Sequence, residues 1–295
     1  MNTGLSIQQF FVIIIVMSLT SFSPPLQETT VGYIFSHGLA DTYKQAYQYT
    51  ESNCLHKSCI TFNYPDAIDY GARVRTKKAS LGQDNEIKRF AQAYFNNFSF
   101  SHRAVALGVS RGASVLINFM GLYNPLTIQA AILESPFDSV ENIVLGMINR
   151  TRLAWIPKAK EIGLALTRFI FTKYHPQGIR PIDVVNQIYS DLPILFVCCA
   201  QDKLVPIWST INLYKKLKES GHTDVHILIL SQGSHAHLIT HPVQGINFQN
   251  VVHAFYKHYH LPHDPLLAAA GAQLFRYSQP DSNELAHYYP DYLTS

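Results

Sequence analysis

The chain has 295 residues, 47% of them apolar and 15% charged, with a formal charge of +3 at neutral pH. That length allows one large α/β domain or two small ones with an ample core, and the composition excludes a disordered chain. Lys and Arg are scattered: among Arg73, Arg75, Lys77 and Lys78 only the last two are adjacent, so nothing suggests a nucleic-acid stripe.

In chain order, the first element is the apolar run from Phe10 to Leu19 in "FFVIIIVMSLTSFSPP". It is shorter than the roughly 20 residues of a membrane span. It suits the h-region of a secretory signal, with Ser18, Thr20, Ser21 and Ser23 as a cleavage zone. Residues 1–27 are therefore expected to be a signal peptide or an N-terminal anchor through which the chain associates with a membrane. Pro24–Pro25 hinders cleavage and keeps the anchor reading open. The expected location is secreted, periplasmic or membrane-anchored, and cytoplasmic if the run is a buried strand instead.

From residue 31 apolar runs alternate with amphipathic stretches. "VGYIFSHG" reads as a strand, "GLADTYKQAYQYTESN" as a helix, and "SCITFNYP" as a strand stopped by Pro65. "LGQDNEIKRFAQAYFNNF" places Ile87, Phe90, Ala91 and Tyr94 at helical intervals. "RAVALGVS" is again a strand, "RGASVLINFMGLYN" an apolar helix, and "QAAILESPF", "LPILFVCCAQD" and "DVHILILS" are buried strands. Continuously apolar strands separated by helices predict a mostly parallel sheet with helices on both faces. Residues 141–187 interrupt this rhythm and read as a small helical lid over the carboxyl ends of the strands, where open α/β sheets bind ligands. The tail, 263–295, has no strong period and is expected to be a loosely packed extension of a domain spanning 28–262.

Four cysteines fix little. Cys198 and Cys199 are neighbours in one strand and should point to opposite faces; Cys54 and Cys59 are close enough in sequence to bridge in an oxidising compartment. No Cys-x-x-Cys pair occurs, so redox and zinc readings lack their signature. His253, His258, His260 and His263 fall in "HAFYKHYHLPHD" without a completing ligand set and read as a polar helix end. Neither a metal nor a cofactor is expected.

The stretch that carries chemistry is "ALGVSRGAS". Ser110 lies between Gly108 and Gly112, after a strand and before a helix, the setting of a nucleophile held on a strained turn. A serine hydroxyl needs a base to take its proton, and the base needs an acid to orient it. "PILFVCCAQDKLVP" presents Asp202 after a strand, and "LILSQGSHAHL" presents His235 and His237 after the last clear strand. Gly233–Ser234 permits a tight turn that returns His235 over the sheet, which leaves His237 as the alternative base. Glu134 and Asp138 in "LESPFDS" also follow a strand and compete with Asp202 for the acid position.

Taken together, "FSHG", "GVSRG", "LESPFDS", "DLPILFVCCAQDKLVP" and "GSHAHL" resemble the α/β-hydrolase superfamily, most similar to its serine-aminopeptidase and prolyl-oligopeptidase-like serine hydrolases. The resemblance spans residues 31 to 260 and implies the α/β-hydrolase fold, with little room for its two leading strands. It implies Ser110 as nucleophile, Asp202 as acid and His235 as base, with Cys199 where such proteins usually carry Gly. It further implies an oxyanion hole of backbone N–H groups, from Arg111 and from the loop after "YIFSHG", at Leu39. His37 in that loop should support the turn rather than act as base, and the Arg111 side chain is expected to be a solvated surface group, with an offer to the substrate as the alternative. The implied activity is cleavage of an ester, thioester or amide in a small-molecule acyl or peptidyl substrate through an acyl-serine intermediate. The competing reading is a binding or scaffold protein on the same fold whose chemistry has lapsed.

Overall fold

The computed structural model describes residues 31–67, 76–99, 102–151, 153 and 155–289. The Phe10–Leu19 run and the expected leader or anchor lie outside them. Five strands form one sheet: β1 Val31–Ser36, β2 Arg103–Val109, β3 Ile128–Glu134, β4 Ile194–Cys199 and β5 Val225–Leu230. They are hydrogen-bonded in that order and every pair is parallel. The helices are α1 Ala46–Glu51, α2 Asp84–Asn97, α3 Arg111–Tyr123, α4 Val140–Arg150, α5 Ala159–Ile170, α6 Pro181–Val184, α7 Ile207–Glu219, α8 Gln244–His258, α9 Pro265–Arg276 and α10 Ser282–Ala286. Parallel neighbours require crossovers, and those crossovers carry the helices.

The strands read as unbroken apolar runs because both faces are covered. Successive residues alternate between two cores. Ala104, Ala106, Leu133, Phe196 and Cys198 pack on one side with Phe90 and Tyr94 of α2, Leu116 and Phe119 of α3, and Ile211 and Tyr214 of α7. Val105, Leu107, Val109, Val197 and Cys199 pack on the other with Tyr49 of α1 and Phe248, Val252 and Phe255 of α8. Cys198 and Cys199 thus face opposite cores as expected. Cys54 and Cys59 are both free thiols.

"SCITFNYP" departs from its expected strand. It gives only a bridge at Ile60, on the free edge of β1, where Ile60 N–H donates to Tyr33 O (2.7 Å) and Phe35 N–H to Ile60 O (2.9 Å). The ladder stops because the Tyr64 N–H turns to the His37 ring instead (3.2 Å). The chain therefore visits one side of β1 at Ile60 and the other at β2. That reversal makes the carboxyl ends of β1 and β2 the topological switch point, the place where open α/β sheets bind ligands.

The segment expected to form a lid holds a hairpin of α4 and α5. Ser139 caps α4 by accepting from Asn142 N–H (3.2 Å). α4 approaches the Asp202 loop closely: a Cβ on Gly146 would stand 2.2 Å from Pro206 Cγ. Phe137, Val140, Val144, Tyr174 and Val205 form a third, small core under this hairpin. Among the described residues no helix is long and apolar enough to cross a membrane.

The C-terminal region corrects the expectation of loose packing. α9 lies directly on α8, because Gly271 lets its backbone come so near that a Cβ would sit 2.0 Å from Asn250 O. The segment beyond α9 then runs along the open edge of β5. Ser278 O accepts from Ile227 N–H at 2.7 Å, and the Gln279 amide donates to Thr223 O (2.8 Å) and Val225 O (3.1 Å). His226, pushed down to about 3 by burial, hydrogen-bonds Ser278 Oγ (2.8 Å) and stacks on Phe275 at 4.6 Å.

Candidate active site

Ser110 follows β2 and caps the start of α3 with φ 54° and ψ −120°, a region that costs a non-glycine residue of order 1–3 kcal/mol. The neighbours hold it there. Its N–H donates to Glu134 O of β3 at 2.7 Å. A Cβ on Gly112 would fall 2.0 Å from Ser36 O, and one on Gly108 2.7 Å from Ala113 Cα. Only glycine lets α3 begin this close to β1 and β2.

The histidine arrives from the loop after β5. Gly233 (φ 150°) and Ala236 (φ 59°) bracket a tight turn that separates the two histidines. His235 Nε2 lies 2.7 Å from Ser110 Oγ, and His235 Nδ1 lies 2.7 Å from Asp202 Oδ2. His237 is exposed on the far side of the turn. Asp202 is held in turn by its own loop: Oδ1 accepts from Leu204 N–H (2.8 Å) and Val205 N–H (3.0 Å), which leaves Oδ2 for the imidazole. Cys199 packs beneath this turn and accepts from Gln201 N–H at 3.3 Å.

No family model and no curated protein sequence matches the chain. Among solved structures it is similar to an esterase of Pyrococcus furiosus (TM-score 0.56, 17% identity, 79% of this chain and 83% of that one). It is similar to the acylaminoacyl peptidase of Pyrococcus horikoshii (0.54, 14%, 82% and 39%) and to a monoacylglycerol lipase of Paleococcus ferrophilus (0.51, 15%, 77% and 94%). An α/β hydrolase from a deep-sea metagenome library matches likewise (0.52, 16%, 80% and 92%). The chain has the α/β-hydrolase fold.

In this hydrolase fold the rival acids do other work. Asp138 is buried, and its carboxylate accepts from Ser209 Oγ (2.6 Å), Asn142 Nδ2 (2.7 Å) and Asn212 Nδ2 (2.8 Å), joining α4 to α7. Burial raises its carboxyl above the ordinary range against those donors. Glu134 is fully buried: Oε2 accepts from Tyr49 OH at 2.5 Å and Oε1 from Leu238 N–H at 3.1 Å. Desolvation pushes its carboxyl up to about 7, in spite of those two donors. Glu134 thus braces the histidine turn and does not touch the ring.

Arg111 corrects its expectation as a solvated group. The side chain is 1% exposed. Its Nη1 pairs with Asp66 Oδ1 (2.6 Å) and Glu86 Oε1 (3.1 Å), Nη2 donates to Gly38 O (3.0 Å), and the guanidinium lies 4.5 Å over the Tyr64 ring. Glu86 in turn accepts from Ser80 and Gly82 N–H. The loop after β1 is therefore pinned from within, with Gly38 N–H also donating to Gln45 Oε1 (2.9 Å). A Cβ on Gly38 would lie 3.8 Å from Ser110 Cβ, so Leu39 follows directly beside the serine. The Arg111 N–H opens α3, where helical backbone donors lack an internal partner. His37 supports the turn: Nδ1–H donates to Gly38 O (2.8 Å), and burial followed by the Arg111 charge pushes the ring down to about 3.

The bracing by Glu134, Tyr49, Asp66 and Glu86 was not read from the sequence. The available signal was a carboxylate ending a wholly apolar strand, since a buried Glu demands donors. The histidines near the C-terminus take structural parts: Asp264 N–H donates to His253 Nδ1 (2.9 Å), and His263 Nδ1–H to Leu261 O (2.9 Å). Among the described residues no group of three or more His, Cys, Asp or Glu is arranged to hold a metal. A cavity of about 490 Å³ lined by Tyr94, Phe98, Tyr123 and Leu126 lies at the amino ends of β2 and β3, away from Ser110.

Proposed function

We propose that the protein is a serine hydrolase that cleaves an ester, thioester or amide through an acyl-serine intermediate. The observation that carries this reading is the single imidazole bridging Ser110 Oγ and Asp202 Oδ2 at 2.7 Å on each side. His235 Nε2 takes the Ser110 proton as Oγ attacks the substrate carbonyl carbon. Asp202 keeps the other ring nitrogen protonated and stabilises the imidazolium that forms. The N–H groups of Leu39 and Arg111 receive the charge on the tetrahedral oxygen; fixed backbone donors do this without reorganising. Collapse expels the leaving group, which takes its proton from His235. Water, activated by the same ring, then releases the acyl group. All proton transfers run through one histidine, so no cofactor is required.

The esterase, lipase and peptidase neighbours support an acyl or peptidyl substrate. The apolar run Phe10–Leu19 supports export or anchoring, which fractionation of cells expressing the full chain would check. Labelling of the purified chain by a fluorophosphonate probe tests the mechanism. The expected result is one adduct at Ser110, absent from Ser110→Ala. A folded chain that takes no label would favour the lapsed, ligand-binding reading.

A further inference from the structure

The cap hairpin presents an apolar face that the fold does not cover. α5 uses one side against α4: a Cβ on Gly163 would stand 2.6 Å from Val144 Cγ1, and Leu164 packs into the small core around Val144. The other side carries Ile162, Leu166, Phe169 and Ile170, which are 50, 57, 80 and 47% exposed. At 100° per residue these four fall on one arc, and Trp155, ahead of the helix, is 79% exposed. No residue of α5 is fully buried. A surface helix ordinarily turns its single apolar stripe inward; this one has a second stripe facing water. A contiguous exposed patch of this kind marks an interaction surface.

Charge indicates what covers it. Residues 150–173 contain Arg150, Arg152, Lys158, Lys160, Arg168 and Lys173 against Glu161 alone, within a chain of net +3. Arg168 shares a groove with Ala165, Phe169 and Ile170, Lys158 and Lys160 come at the amino end of the helix, and all three are exposed. Lys77 joins them, because its carbonyl accepts from Thr172 Oγ1 at 2.9 Å and its side chain borders a shallow groove with Arg168 and Phe169. Long cationic side chains around an apolar helical face are the chemistry of a helix lying in a membrane interface.

We propose that this face of α5 seats the protein on an anionic lipid surface. The apolar arc enters the boundary between headgroups and acyl chains while the surrounding Lys and Arg side chains reach lipid phosphates. A second copy of the chain is the weaker occupant. Two such faces brought together would oppose their cations, and like charges set against each other across an interface are costly. Since α4 lies against the Asp202 loop through Gly146 and Pro206, a seated α5 holds the Ser110 crevice close to the bilayer.

The test is flotation of the full chain with vesicles of phosphatidylcholine alone and of phosphatidylcholine mixed with phosphatidylserine. Association should be stronger with the mixed vesicles, by about fivefold for each engaged cation, and should fall as salt is added. The Leu166→Asp, Phe169→Asp double variant should lose at least about tenfold in binding to them. Lys160→Glu with Arg168→Glu should remove the preference for the acidic lipid. Thermal melts should be unchanged in both, and Phe169→Ser serves as a milder probe if either melt falls. Wild-type binding by the aspartate variant would overturn the proposal and leave association to the Phe10–Leu19 run. Equal affinity for neutral and acidic vesicles would overturn it as well. A dimer in light scattering that the aspartate variant dissociates would assign the face to a second copy. None of these readings depends on turnover, so they stand apart from the hydrolase assignment.

Discussion

Glu134 accepts a hydrogen bond from the backbone N–H of Leu238 at 3.1 Å, and its own carbonyl accepts the Ser110 N–H at 2.7 Å. One residue at the end of β3 therefore fixes both the nucleophile's turn, through its main chain, and the histidine's turn, through its side chain.

That carboxyl carries a pH signature. Desolvation raises it from 4.5 to about 7 in the folded chain, so between those values the folded state binds more protons than the unfolded one. The stabilisation is complete below about pH 4.5 and is lost as pH rises through 7. At about 1.4 kcal/mol per unit of separation the loss amounts to a few kcal/mol. Urea melts taken from pH 4 to 8 should show the decline, and Glu134→Gln should flatten it. A decline of unchanged slope in the variant would assign it to other groups.

Ser110→Ala should lower turnover by on the order of 10⁶ while leaving the melting temperature close to that of the parent, because the turn is held by backbone and glycine contacts. Residual turnover near the parent rate, with contaminating enzyme excluded, would remove Ser110 from the mechanism.

Asp202→Asn keeps the size of the side chain but offers Nδ1 the wrong partner, and should cost roughly 10⁴ in kcat. Asp138→Asn should instead act on stability, since its oxygens serve Ser209, Asn142 and Asn212. The reverse pattern, with kcat collapsing in the Asp138 variant alone, would exchange their roles.

His235→Ala should abolish acylation, and His237→Ala should leave it within a few-fold. A burst-phase assay with an activated ester reads the acylation rate directly. Loss confined to the His237 variant would reverse the assignment.

Arg111→Met leaves Asp66 and Glu86 buried without their cation, and breaking such a pair costs roughly 3–5 kcal/mol. The Gly38 carbonyl loses one of its two donors in the same variant and keeps only His37, so the folded fraction should also show a lowered kcat. A denaturation midpoint equal to the parent's would show that the cluster does not stabilise the fold.

Much of this was readable in advance, and the reason is strand geometry. In a parallel sheet all strands end on one side, so Ser110, Asp202 and His235, each one step past a buried apolar run, had to arrive at one edge. That His235 and not His237 lies beside Ser110 was readable too, because Gly233–Ser234 foretold a turn. The guanidinium of Arg111 was not legible. Its partners lie 45 and 25 residues away in the chain, and only the folded approach of "NYPDA" and "LGQDNEI" to the helix start brings them together. The Tyr49–Glu134 contact spans 85 residues and joins a short helix to the central strand of the sheet. α9 escaped for a different reason: the residues it buries are Ala268 and Gly271, too small to mark an amphipathic period.

The Ser278–Gln279 segment occupies the outer rail of β5, where a strand would otherwise present free N–H and C=O groups to any passing chain. A chain cut after residue 262 would keep every residue of the Ser110 crevice and yet carry an open template for intermolecular pairing. Such a fragment should form mixed-β aggregates under conditions where the intact protein stays dispersed. Residues 263–289 should thus matter to colloidal behaviour rather than to chemistry, and activity lost on C-terminal proteolysis should be lost by precipitation of a still competent site.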